Sequence, residues 1–132
     1  MSEDMQDSVP LNSTQIPNAD LLKIADMVHN ARQWPDVEIR GIVNAGGYVK
    51  EKNPERLAQV RGANLRDYLV QLGLKPENIA VETHKVTAPY PVDSAGYGGL
   101  LQIGVTLVPL CEGDCTKVCD DPRVKRTTRA VK

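Results

Sequence analysis

One stretch constrains this chain more than any other. "NPERLAQVRGANLRDYLVQLG", residues 53–73, opens on Asn-Pro and closes on Gly. These residues punctuate the start and stop of an α-helix. Within it Leu57, Val60, Leu65, Tyr68, Leu69 and Leu72 share one face at about 100° per residue. Arg61 projects onto the middle of that same face. A permanent cation on a core-facing stripe has two explanations. It grips a partner through its planar fork, or it buries its stem and carries its head to the edge. The bare sequence leaves both open.

The rest of the chain supplies layers for that helix to pack on. Asn18 is placed to cap a helix over "ADLLKIADMVHNARQW", with a stripe of Leu21, Ile24, Ala25, Val28 and Ala31, and Pro35 ends it. "DVEIRGIVN" alternates Val37, Ile39 and Gly41 with Glu38, Arg40 and Ile42, as a strand does. "NIAVETHKV" reads as a second strand. "LLQIGVTLVPL" reads as a third, through Leu101, Ile103, Val105 and Leu107. A short first strand is expected within "VPLNSTQIP", limited by Pro10 and Pro17. "AGGYVKEK" and "TAPYPVDSAGYGG" read as loops. The order βαβαββ predicts an α/β chain, an α+β sandwich, with a mixed sheet and two helices on one face. The expected boundaries are a disordered segment at 1–10, a domain at 11–109, and a cysteine-bearing segment with a basic tail at 110–132.

The 132 residues suit one domain. With four Tyr, one Trp and no Phe, its core must be aliphatic. A formal net charge of −1 gives no bulk signal for nucleic acid. No apolar run is long enough to span a bilayer. The start, "MSEDMQDSVPLNSTQ", has neither the basic nor the apolar part of a secretory signal. The chain is therefore intracellular, or an export segment has been removed from it.

The three cysteines, Cys111, Cys115 and Cys119, are spaced Cys-x3-Cys-x3-Cys. One bridge with one free thiol accounts for them. A zinc site completed by Asp114 or a His is the sharper reading, but the two-residue spacer of zinc ribbons is absent, so no metal is expected. His29 and His84 have no evident acid partner nearby in sequence. "NAGGY" lacks the strand–GxGxxG–helix context of a nucleotide site. With no nucleophile motif, phosphate loop or paired carboxylates, neither an enzyme nor a cofactor is expected. The basic end, "DDPRVKRTTRAVK", suits either a solvated tail or a contact with an acidic partner or surface.

"PDVEIRGIVNAGGYVKEKNPERLAQVRGANLRDYLVQLGLKPENIAVE" resembles the C-terminal domain of OmpA-like proteins, a family that includes the peptidoglycan-associated lipoproteins. The family pattern is a strand ending in Gly-x-Thr-Asp, a glycine-bearing loop, then Asn-x-x-Leu-Ser-x-x-Arg-Ala opening a helix that ends before Gly. Asn53, Leu57 and Arg61 carry the helix start here, and "DYLVQLGL" carries its end. The resemblance covers 11–109 and is strongest over 36–82. It implies a βαβαββ domain that holds peptidoglycan without covalent chemistry, in the periplasm at the outer membrane. It assigns Arg61 to a carboxylate of diaminopimelate in the peptide stem, in a site lined by Asn44, Asn53, Leu57 and Arg61. An arginine fork suits a carboxylate.

Two departures qualify that assignment. The family's Thr-Asp, whose aspartate takes the diaminopimelate ammonium, is Val43-Asn44 here. Asn44 offers only neutral hydrogen bonds, so binding should weaken. Family arginines before the last strand give way to Leu100, Leu101 and Gln102. The alternative is a domain that keeps the fold, has lost peptidoglycan, and acts on other envelope proteins.

Overall fold

A computed structural model describes residues 2–35, 37–95 and 98–110. Its elements are β1 (Glu3–Asp7), α1 (Asn18–Ala31), β2 (Glu38–Tyr48), α2 (Pro54–Gln71), β3 (Ile79–Val86) and β4 (Ile103–Leu110). The strands form one sheet in the order β1-β4-β2-β3. β4 runs antiparallel to both β1 and β2, and β3 lies parallel to β2. This is the βαβαββ mixed sheet that the sequence predicts.

Alternation along the strands sends one residue set to each face. Val43 and Ala45 of β2, and Ile103, Val105 and Leu107 of β4, are buried under the helices. Ile24, Met27, Val28 and Ala31 of α1 and Leu65 and Leu69 of α2 close over them. Fully burying a Leu such as Leu65 contributes roughly 1.5–3 kcal/mol. Met27 joins this core, while the expected stripe residues Leu21 and Ala25 are half-buried. Among the described residues, the opposite face of the sheet carries no helix.

The first strand lies at Glu3–Asp7, inside the segment expected to be disordered, and not within "VPLNSTQIP". The outer edge of β4 offers unpaired backbone groups, and β1 satisfies them. Only Met5 needs to face inward, opposite Val105. The expected strand segment is held differently. The Gln102 side chain, with no exposed surface, accepts from Val9 N–H at 2.9 Å and donates to Val9 C=O at 3.0 Å.

β2 also runs on through "AGGY", expected as loop, because β3 pairs beside it: Gly46 opposite His84, Gly47 opposite Lys85. Gly47 has a steric role. A Cβ there would stand 1.9 Å from the Pro54 carbonyl oxygen, so the start of α2 could not lie where it does. Leu101 precedes β4 and adopts a left-handed conformation, φ 50°. Asn53 does not cap α2 through its side chain. It is left-handed, φ 49°, and its backbone carbonyl accepts from Leu57 N–H at 3.1 Å. Helix α1 begins on Asn18 itself, with the Pro17 carbonyl accepting from Asp20 and Leu21. The cysteines and the basic tail fall outside the described residues. Among the described residues, no helix is long and apolar enough to cross a membrane.

Candidate functional site

Arg61 is 1% exposed, the largest of the fully buried side chains among the described residues. A buried guanidinium requires a counter-charge and hydrogen-bond acceptors. It has both. Its Nη1 and Nη2 donate to Glu51 Oε1 at 2.9 Å and Oε2 at 2.5 Å, an end-on fork. Nη1 also donates to the Gly46 carbonyl at 2.9 Å, and Nε to the Ser13 carbonyl at 2.9 Å.

The chain brings these groups together for local reasons. Glu51 lies in the turn between β2 and α2, where its N–H donates to the Tyr48 carbonyl at 2.8 Å. Its carboxylate reaches back to accept from Tyr48 N–H at 2.8 Å and from Asn12 N–H at 2.7 Å. Asn12 in turn accepts from Lys52 N–H through its side chain at 2.8 Å. Two segments distant in sequence, 12–14 and 46–52, are thus tied to one helix by one guanidinium. Burial alone would push the Glu51 carboxyl up. The Arg61 hydrogen bonds, the two backbone N–H groups and the Arg61 charge outweigh it and hold the carboxyl at about 2.

The four sequence-derived site residues do not converge. Leu57 and Arg61 are buried on the inner side of α2, and Asn53 is exposed at the helix start. Asn44 lies on the open face of the sheet, because its neighbours Val43 and Ala45 point to the helices. No single diaminopimelate can touch Asn44 and Arg61 across the sheet. Glu51 is the member that the sequence reading misses. Its signal is the only acidic residue in "VKEKN", close before an arginine that needs a partner. A cleft of about 290 Å³ opens at the start of α2, lined by Gly47, Pro54, Ala58, Thr83 and Lys85 among others. Among the described residues, no group of three or more His, Cys, Asp or Glu could hold a metal ion. The arrangement can hold a carboxylate in a planar fork. Among the described residues it shows no nucleophile–base pair.

No protein-family model matches the chain, and no curated protein matches it. Solved structures do. The OmpA-like domain of FopA1 from Francisella tularensis superposes with a TM-score of 0.54 at 14% identity, covering 86% of this chain and 75% of that one. The C-terminal domain of Helicobacter pylori MotB gives 0.59 at 15% identity, covering 89% and 92%. The peptidoglycan-associated lipoprotein from Burkholderia pseudomallei gives 0.55 at 13% identity, covering 81% and 89%.

The fold is that of OmpA-like domains. On this OmpA-like fold, Arg61 is buried on the inner side of α2. The fork is turned inward onto the chain's own carboxylate.

Proposed function

We propose that the chain is a non-catalytic domain of a bacterial cell envelope that binds peptidoglycan weakly and without covalent chemistry. Its place is the periplasm, associated with the outer membrane. The reading is supported by the likeness in fold to a peptidoglycan-associated lipoprotein and to periplasmic domains of MotB. The observation that carries it is the Arg61 fork, already in bidentate carboxylate geometry. Glu51 occupies that fork, so a stem carboxylate of diaminopimelate gains it only by displacing Glu51. Weak binding follows from this competition, and not from Asn44, which lies on the other face.

Co-sedimentation of the 132-residue chain with insoluble peptidoglycan tests this. The wild type should pellet as a minor fraction. Glu51→Gln, which keeps an acceptor but removes the counter-charge, should pellet more. Arg61→Ala should stay in solution, with its fold checked by thermal melting. Absence of binding in both the wild type and Glu51→Gln would overturn the proposal.

A second reading has its own support: the Glu51 side chain has no exposed surface and accepts four hydrogen bonds. On that reading the fork belongs to the fold alone. The domain then acts in the envelope through protein contacts, having lost peptidoglycan.

A further inference from the structure

On the open face of the sheet, opposite to Arg61, a groove of about 630 Å³ is bordered by Tyr90, Pro91, Gly98 and Leu101 of the connection before β4. Its floor is a single row across three strands. Gln6 of β1 is in register with Gly104 of β4, and Gly104 with Asn44 of β2. Two strand spacings separate the amides, about 10 Å. Gly104 between them has no side chain, so the floor stays open. His84 of β3 and Tyr90 of the connection line the sides, with Tyr90 53% exposed.

The wall is built, not loose. Tyr90 and Gly99 exchange both backbone hydrogen bonds, at 2.7 and 3.0 Å. Leu101, which also lines the groove, is held left-handed at φ 50°, a strained conformation for Leu, with its N–H donating to Ser8 Oγ at 3.0 Å. The buried Gln102 amide then clamps the chain at Val9. Strain of this kind persists where surrounding contacts determine it.

We propose that this groove binds an uncharged saccharide about two sugar units long. Among the described residues, the lining contains no carboxylate, ammonium or guanidinium. Glu82 of β3 is in register with Asn44 but stands outside that lining, so within the groove a charged ligand would lose water without finding a permanent counter-charge. The amides of Gln6 and Asn44 each donate and accept, as sugar hydroxyls do. The exposed Tyr90 ring offers an apolar face for the C–H side of a pyranose and a hydroxyl at its rim. A few polar groups converging in a groove of this volume is the ordinary anatomy of a small-ligand site. The inference does not depend on peptidoglycan binding through Arg61, which lies across the sheet.

The test is a residue-resolved NMR titration of the 132-residue chain with two neutral disaccharides, cellobiose and di-N-acetylchitobiose. Saturable shifts at Gln6, Asn44, Tyr90 and Gly104 are expected with at least one. The stronger of the two tells whether plain or acetamido sugars are read. Asn44→Ala and Tyr90→Ala should each weaken binding about tenfold, the scale of one lost polar anchor. Both side chains lie outside the core, and retention of the wild-type amide spectrum verifies the fold. Gln6→Ala serves if either variant fails that check. Absence of saturable shifts with both sugars overturns the proposal. So do shifts that survive these substitutions unchanged. Because both probes are soluble and carry no peptide, the outcome is independent of co-sedimentation with cell wall.

Discussion

Both carboxylate oxygens of Glu51 lie in the guanidinium fork of Arg61, and neither side chain reaches solvent. The geometry is that of a receptor and a ligand, with both parts supplied by one chain ten residues apart. It joins the stability of the fold to the fork that we propose for a foreign carboxylate.

Arg61→Leu completes the apolar stripe of α2, yet it should destabilise the domain. It strands the Glu51 carboxylate and the carbonyls of Ser13 and Gly46 in a buried place. Breaking one partner of a buried pair costs about 3–5 kcal/mol. Urea denaturation should show a large drop in midpoint. The double variant Arg61→Leu/Glu51→Leu should recover part of it, since the stranded charge is gone.

The pH dependence of stability should have two limbs. Asp20 on α1 is 6% exposed, and its Oδ2 has no hydrogen-bond partner among the described residues. Burial, then Asp7 through a hydrogen bond and its charge, pushes the Asp20 carboxyl up to about 7, against the pull of Lys23. A raised carboxyl favours the folded state while it is protonated. That contribution is full below its unfolded value of 3.8 and is lost as pH rises through about 7. Glu51 behaves oppositely. Its contribution is present above 4.5 and is lost as pH falls through about 2. Denaturation midpoints should therefore peak near pH 4 to 5 and decline toward pH 8. Asp20→Asn should flatten the alkaline limb and leave the acid limb in place.

Gly47→Ala should loosen the junction between β2 and α2. The new methyl group meets backbone at Pro54, not a side chain that could swing away. A cost of about 1–3 kcal/mol is expected from overpacking. Hydrogen exchange should quicken in the first turn of α2 and at Glu51.

Asn44→Asp should leave the binding of a sugar-free, diaminopimelate-containing stem peptide unchanged. The new carboxylate would stand on the open face, on the far side of the sheet from the fork. Isothermal titration of both proteins decides this.

The layers of this fold are legible in the sequence where periodicity is strong. The stripe Leu57, Leu65 and Leu69 and the alternation Ile103, Val105 and Leu107 are set by burial on one face, and burial writes itself into period. β1 is not legible in that way. It presents one apolar residue, Met5, among Glu3, Asp4, Gln6 and Asp7, and it is a strand because β4 has an edge to fill. The pair Gly46–Gly47 reads as loop because glycine is common in turns. Here Gly47 makes room for the Pro54 backbone. Arg61 stands out at once as a cation on an apolar face, but its partner does not. "VKEK" looks like solvated charge until the turn folds back over α2 and places Glu51, alone of the three charges, inside. Pairing across a turn depends on tertiary closure, which carries no period. The face of Asn44 follows from the alternation of β2, but its row with Gly104 and Gln6 is set by a register that only the assembled sheet defines.

The most direct measurement is a residue-resolved titration of the wild-type chain and Glu51→Gln with a diaminopimelate-containing muropeptide, following the amides of Ser13, Gly46, Glu51 and Gly62. If Glu51 holds the fork against a stem carboxylate, the wild-type shifts should saturate only at high ligand concentration, and Glu51→Gln should bind about tenfold more tightly, the scale of one charge-assisted competitor removed. Tight saturation of the wild type, or binding by Glu51→Gln no stronger than that of the wild type, would contradict the account.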